Sequence, residues 1–156
     1  MPQLVKGGKQ TYGWSWVAQT GRIRIPPEAI LDYRFKDTQA LVIVPGSRTS
    51  GGFCVGSKDS LEGSPIGAML DRVSELIDCQ VEEGRPIEGE GRLLCWTRLR
   101  NGVVQLPLET LARYDIKVND QLLVVKGSGL ALAFIVRGPI VEQAREHREL
   151  EMFMAQ

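Results

Sequence analysis

The feature that most limits what this chain can fold into is a stretch that occurs twice. Residues 21–55, GRIRIPPEAILDYRFKDTQALVIVPGSRTSGGFCV, lie over residues 102–136 when the sequence is slid by about 81 positions without a gap. Gly21 meets Gly102, Pro26 meets Pro107, Glu28 meets Glu109, Tyr33 meets Tyr114 and Lys36 meets Lys117. Leu41 and Val44 meet Leu122 and Val125, Gly46-Ser47 meets Gly127-Ser128, and Phe53 and Val55 meet Phe134 and Val136. About 11 of about 35 positions are identical, where chance gives roughly two or three, so the stretch reads as an internal duplication.

Each copy is shorter than about 50 residues, too small to bury a stable core alone. The copies are therefore expected to share a core, or to pair with copies from a second chain. A hydrophobic content of 43% and a charged content of 24% fit a soluble globular protein. No apolar run approaches a membrane span and the first residues lack the apolar core of a signal peptide, so a cytoplasmic protein is expected. Cys54, Cys79 and Cys95 are odd in number and have no metal-ligand spacing, which predicts reduced thiols and no metal.

Each copy reads as strand, strand, short helix, strand, strand, followed by a longer helix. Tyr12, Trp14 and Trp16 alternate as on a half-buried strand, where packing is the better account of the aromatics than base stacking. In Arg22-Ile23-Arg24-Ile25 a period of two turns the isoleucines inward and puts both arginines on the outer face. Pro26-Pro27 ends that strand and opens a two-turn helix to about Tyr33, with Glu28 at the positive end of its dipole. Ala40 to Val44 is a continuous apolar run, expected to be covered on both sides, and Phe53 to Val55 returns from a long polar turn. In the second copy, Arg98 and Arg100 share a face before the hairpin signal Asn101-Gly102.

Four segments follow: 1–57, a basic arm and the first repeat; 58–91, an amphipathic helix and an acidic, glycine-rich linker; 92–137, the second repeat; and 138–156, a C-terminal helix. Ser64-Pro65 starts the first long helix, whose stripe of Ile66, Met69, Leu70, Val73, Leu76 and Ile77 could dock a protein partner. Gly138-Pro139 starts the terminal helix, with Arg145 and Glu149 in i, i+4 contact.

The net charge is zero, but its distribution is uneven. Residues 1–27 hold Lys6, Lys9, Arg22 and Arg24 without a carboxylate, and residues 92–108 hold Arg92, Arg98 and Arg100 without one. The stretch between is acidic, so positive charge sits at the front of each copy. Nothing suggests catalysis. His147, the one histidine, is surrounded by Glu146, Arg148 and Glu149 on the terminal helix, and no cysteine has a histidine partner in sequence. No cofactor is expected.

Gly21-Arg22, Ile25-Pro26 and Glu28 in the first copy, and Gly102, Leu106-Pro107, Glu109 and Asn119-Asp120 in the second, resemble the AbrB/SpoVT/MazE family of swapped-hairpin barrels. The tandem arrangement is similar to the MraZ branch. The resemblance covers about 90 residues and implies a mainly β fold with α-helices, in which two ββαββ repeats interdigitate into one barrel. It also implies a DNA-binding transcriptional regulator that self-associates. Arg22 matches the family's Gly-Arg arginine and Arg24 follows on the same face. Without a gap, Val103 and Gln105 occupy those positions in the second copy, while Arg98 and Arg100 stand where the first has Val17 and Gln19. The expected duplex-binding set is Arg22, Arg24, Arg98 and Arg100, with Lys6 and Lys9 nearby. The short helices lack the family's frequent basic residues, and the first copy has Thr38-Gln39 in place of a Gly-Asp turn. The alternatives are a protein-interaction or oligomerisation module that has lost DNA binding, and an antitoxin-like repressor.

Overall fold

Strand pairing runs between the two copies as much as within them. The computed structural model describes residues 11–57, 80–89, 91–126 and 131–155; Lys6, Lys9, Cys79 and the helix expected from Ser64 lie outside them. The elements in chain order are β1 (Thr11–Trp16), β2 (Arg22–Arg24), α1 (Pro27–Tyr33), β3 (Ala40–Pro45), β4 (Phe53–Gly56), β5 (Ile87–Gly89) and β6 (Arg92–Arg98). There follow β7 (Val103–Gln105), α2 (Leu108–Arg113), β8 (Gln121–Lys126), β9 (Leu132–Ile135), α3 (Pro139–Ala144) and β10 (Met152–Met154). The described fold is thus mixed and mostly β, with three short helices.

Among the described residues the strands form an eight-stranded sheet in the order β10-β1-β8-β9-β4-β3-β6-β5 and a separate two-stranded ribbon of β2 and β7. Hairpins β3-β4 and β8-β9 are local, but β1 pairs with β8, β6 with β3, β4 with β9 and β2 with β7. Phe53 lies opposite Phe134, and Ile23 opposite Val104. Each pair joins residues that the slide of about 81 positions also superposes, so the pairing is symmetric about these two points.

Among the described residues the expected closed barrel is not found, and the eight-stranded sheet stays open. The outer edge of β1 is taken by β10, in parallel, and that of β6 by β5, so neither is left to close the sheet. Both edge strands depart from the sequence reading. Ile87 lies in the stretch read as linker, yet it packs against the Val42, Val44, Leu94 and Trp96 cluster. The helix expected over 138–156 ends at Ala144, because only Ile140, Val141 and Ala144 supply an apolar face there. Arg145 pairs with Glu142 and His147 with Glu149, replacing the expected Arg145–Glu149 contact. Met152–Met154 then runs as a strand beside Trp14–Trp16.

One sheet face carries the main core, with Leu41, Ile43, Phe53, Val55, Leu122, Val124 and Phe134, and is covered by Ile23 and Val104 of the ribbon. Burying each such side chain stabilises the fold by about 1.5–3 kcal/mol. Helices α1 and α2 contribute Ala29 and Leu111 to this core. On the opposite face Trp14, Leu123 and Ile135 are covered by Val141 and Ala144.

Tyr12 and Trp14 do not share a face, as their spacing had suggested. The register shifts between Thr11 and Gly13, a β-bulge in which Gly13 takes φ 128°. Tyr12 therefore enters the main core while Trp14 packs under α3. Among the described residues no helix is long and apolar enough to cross a membrane.

Candidate nucleic-acid interface

The ribbon positions the candidate residues. Arg22 lies opposite Gln105 and Arg24 opposite Val103, with the fully buried Ile23 and Val104 between them. Directly opposed residues of an antiparallel pair project to the same side, so Arg22, Gln105, Arg24 and Val103 form the ribbon's outer row. Ladder bonds from Ile25 N–H to Gly102 O (2.8 Å) and from Leu106 N–H to Gly21 O (3.2 Å) close both ends. Two buried hydroxyls hold the ribbon to the sheet: Ser15 Oγ donates to Arg24 O at 2.6 Å and Thr97 Oγ1 to Gln105 O at 3.2 Å.

Arg22 and Arg24 are half-buried, and among the described residues neither guanidinium has a hydrogen-bond or ion-pair partner. With Asn101, Val103 and Met154 they line an open hollow of about 380 Å³. Gln105 Nε2 donates to Thr20 O at 3.0 Å, and the Asn101 N–H donates to Asp37 Oδ1 at 2.8 Å, which fixes the hairpin turn at the ribbon's end. That turn has φ of 53° at Asn101 and 77° at Gly102, the left-handed pair a two-residue hairpin requires.

Arg98 and Arg100 are nearby but differently employed. Arg98 Nη1 donates to Thr38 O at 3.0 Å, and the guanidinium lies 5.2 Å from the Trp96 ring centroid. Arg100 makes a bidentate pair with Glu83, each nitrogen–oxygen distance being 2.8 Å. Glu83 Oε2 also accepts the Arg98 N–H at 2.8 Å and lies 2.9 Å from Thr97 Oγ1, whose single proton it shares with Gln105 O. These donors, Arg100 foremost, offset the cost of partial burial and hold the Glu83 carboxyl down at about 2. The four arginines expected on one face therefore divide: the two of β2 are open, and Arg100 already has a carboxylate.

Sequence reasoning missed Glu83 because it precedes Arg100 by 17 residues and reads as one carboxylate of a solvated or partner-facing acidic strip. It also missed a one-residue insertion. Val17 N–H donates to Asp120 O as Leu99 N–H does to Gln39 O, and Ala18 N–H donates to Arg22 O as Arg100 N–H does to Val103 O. Before the ribbon the offset is thus one residue larger than after it. Arg98 corresponds to Trp16 and Arg100 to Ala18, and not to Val17 and Gln19. The signal was present: under this offset Trp14 falls on Trp96.

Away from the ribbon, Cys95 and Tyr114 are buried in the core. Burial pushes the Cys95 thiol up to about 12, and Tyr114 donates its hydroxyl to Leu93 O at 3.0 Å. Among the described residues no group of three His, Cys, Asp or Glu could hold a metal ion. Comparison with family models, curated proteins and solved structures finds no match to this chain.

Proposed function

We propose that this chain is a non-catalytic, DNA-binding transcriptional regulator built from two AbrB/SpoVT-type ββαββ repeats, with Arg22 and Arg24 facing the duplex. The observation that carries this reading is the ribbon's outer row, where two arginines without acidic partners among the described residues stand on one face. A two-stranded ribbon fits the roughly 12 Å major groove, and a guanidinium can pair bidentately with guanine or with phosphate. The exchange of strands between the copies, symmetric about Phe53 and Phe134, supports the swapped-hairpin part of the proposal. The reading needs clasped hairpins and not a closed barrel.

Two phosphate contacts predict a salt slope of only about −1.8, so one chain binds weakly. A second chain doubles the contacts and gives a palindromic site, which makes self-association part of the proposal. The competing reading is a protein-interaction module, favoured by one observation: Arg100 is already neutralised by Glu83.

The test is selection of duplexes from a random pool on the immobilised full chain, followed by titration of the recovered sequence. A DNA-binding regulator recovers a defined sequence, and Arg22→Ala with Arg24→Ala abolishes its retention at about 50 mM salt. No enrichment, or enrichment indifferent to the double substitution, overturns the reading.

A further inference from the structure

The bidentate pair between Glu83 and Arg100 closes off a position that continues the ribbon's outer row. Arg100 exchanges backbone hydrogen bonds with Val103, the Arg100 N–H to Val103 O at 2.9 Å and the Val103 N–H to Arg100 O at 3.0 Å. Val103 in turn lies opposite Arg24. Arg24, Val103 and Arg100 thus stand side by side across three neighbouring segments, and two strand spacings put the arginine backbones roughly 10 Å apart. Arg100 also lines a hollow of about 280 Å³ with Gln105, the residue opposite Arg22. Its guanidinium is in position to lengthen the basic row but is occupied by a carboxylate.

The geometry points to Glu83 as an internal competitor for DNA phosphate at Arg100. Two parallel N–H···O bonds to a carboxylate are the same contact that a phosphate oxygen pair would make to that fork. Glu83 comes from the segment between the two copies and is held by Thr97 and the Arg98 N–H as well, so it stays in place when Arg100 lets go. The Arg100 side chain is 55% exposed, which lets phosphate reach it, against 28% for Glu83. The contact therefore sets how many phosphates a chain engages, keeping binding weak until Arg100 exchanges its partner. The first copy has no such device, since Ala18 occupies the place of Arg100.

This inference rests on the DNA-binding reading, and the experiment separates the two. Duplexes are selected in parallel on the immobilised wild type and on Glu83→Gln, and binding of the full chain to whatever either recovers is titrated over a range of salt for the wild type, Glu83→Gln, Arg100→Ala and the double variant. Glu83→Gln removes the charge and keeps an oxygen for the Arg98 N–H; thermal unfolding of each variant checks that it is folded. The expected result is that Glu83→Gln steepens the salt slope by about 0.9 and tightens binding roughly tenfold near 0.1 M salt. Arg100→Ala alone leaves the slope at the wild-type value, and adding it to Glu83→Gln cancels the gain. A wild-type slope in a folded Glu83→Gln variant overturns the competitor while DNA binding through Arg22 and Arg24 stands. A gain that survives Arg100→Ala also overturns it, since it would be a general charge effect. Binding that appears only in Glu83→Gln and depends on Arg100 supports the competitor and overturns the role given to Arg22 and Arg24. If no variant binds duplex, both are overturned.

Discussion

The two ends of the ribbon share a hydrogen-bond pattern, although the first turn is one residue longer, and differ in charge environment. Where β1 passes into β2, and where β6 passes into β7, the same hydrogen bonds recur: Asn119 N–H to Val17 O and Thr38 N–H to Leu99 O, Ser15 Oγ to Arg24 O and Thr97 Oγ1 to Gln105 O. Yet the first hairpin carries its arginines beyond the turn, on β2, without acidic partners among the described residues, whereas the second carries them before the turn, tied to Glu83 and Thr38. The lesson is that backbone symmetry is maintained by main-chain and buried apolar groups, which need matching residues in both halves. Surface charge has no such requirement and has diverged.

The strongest way to break the comparison is at its centre. Phe53 and Phe134 stack with ring centroids 5.1 Å apart and are both fully buried. Phe53→Ala and Phe134→Ala should each cost about 3–5 kcal/mol in denaturant unfolding, and by similar amounts. A difference of more than about 2 kcal/mol would mean that the halves do not share the core equally.

Next in size is the charge contrast. Arg22→Ala with Arg24→Ala should weaken duplex binding on the order of 100-fold, about 2–3 kcal/mol, and leave the unfolding midpoint nearly unchanged. Arg98→Ala with Arg100→Ala should do the reverse, costing about 1 kcal/mol of stability with little change in binding. Equal effects of the two double variants on binding would erase the distinction.

Acid should expose the same asymmetry. The Glu83 carboxyl sits at about 2 in the folded chain, below its ordinary 4.5. Its stabilising contribution is therefore fully present above about 4.5 and disappears as the pH falls toward about 2. After allowance for solvent screening this is about 1–2 kcal/mol. Stability measured from pH 6 to about 2 should fall less steeply in Glu83→Gln than in the wild type, and parallel curves would remove Glu83 from the account.

The smallest expected effect is at the turn before β3. Thr38 takes φ 66° and its counterpart Asn119 takes φ 72°. A β-branched residue is strained there and asparagine much less so, so Thr38→Asn should raise stability by about 1 kcal/mol and Asn119→Thr should lower it by a similar amount. Thermal unfolding of the pair decides it. The departure from a Gly-Asp turn at Thr38-Gln39 affects local strain, while the turn is kept: Gln39 Oε1 accepts the Lys36 N–H at 2.9 Å just as Asp120 Oδ2 accepts the Lys117 N–H at 2.9 Å.

What the sequence made legible is what repeats and periodicity encode. Strands β2, β3, β7 and β8 and helices α1 and α2 lie close to where the alternating or continuous apolar runs and the proline signals put them. The outward aim of Arg22 and Arg24 followed from the period of two. Long-range or compensating features were not legible. The Gly13 bulge reverses an alternation that reads as regular, and Glu83 reaches Arg100 across a hairpin that sequence separation hides. Edge strands β5 and β10, three residues each, are too short to show a pattern and exist because β1 and β6 offer open edges.

The central claim, that the ribbon clasped between the two halves is where duplex DNA is held, is tested most directly by titrating the isotopically labelled full chain with the selected duplex and following backbone amide resonances. The account predicts that the shifts concentrate on Arg22 to Arg24 and Val103 to Gln105 and fade with added salt. Shifts centred on α1, α2 or the 82–86 segment, with the ribbon unmoved, would contradict it.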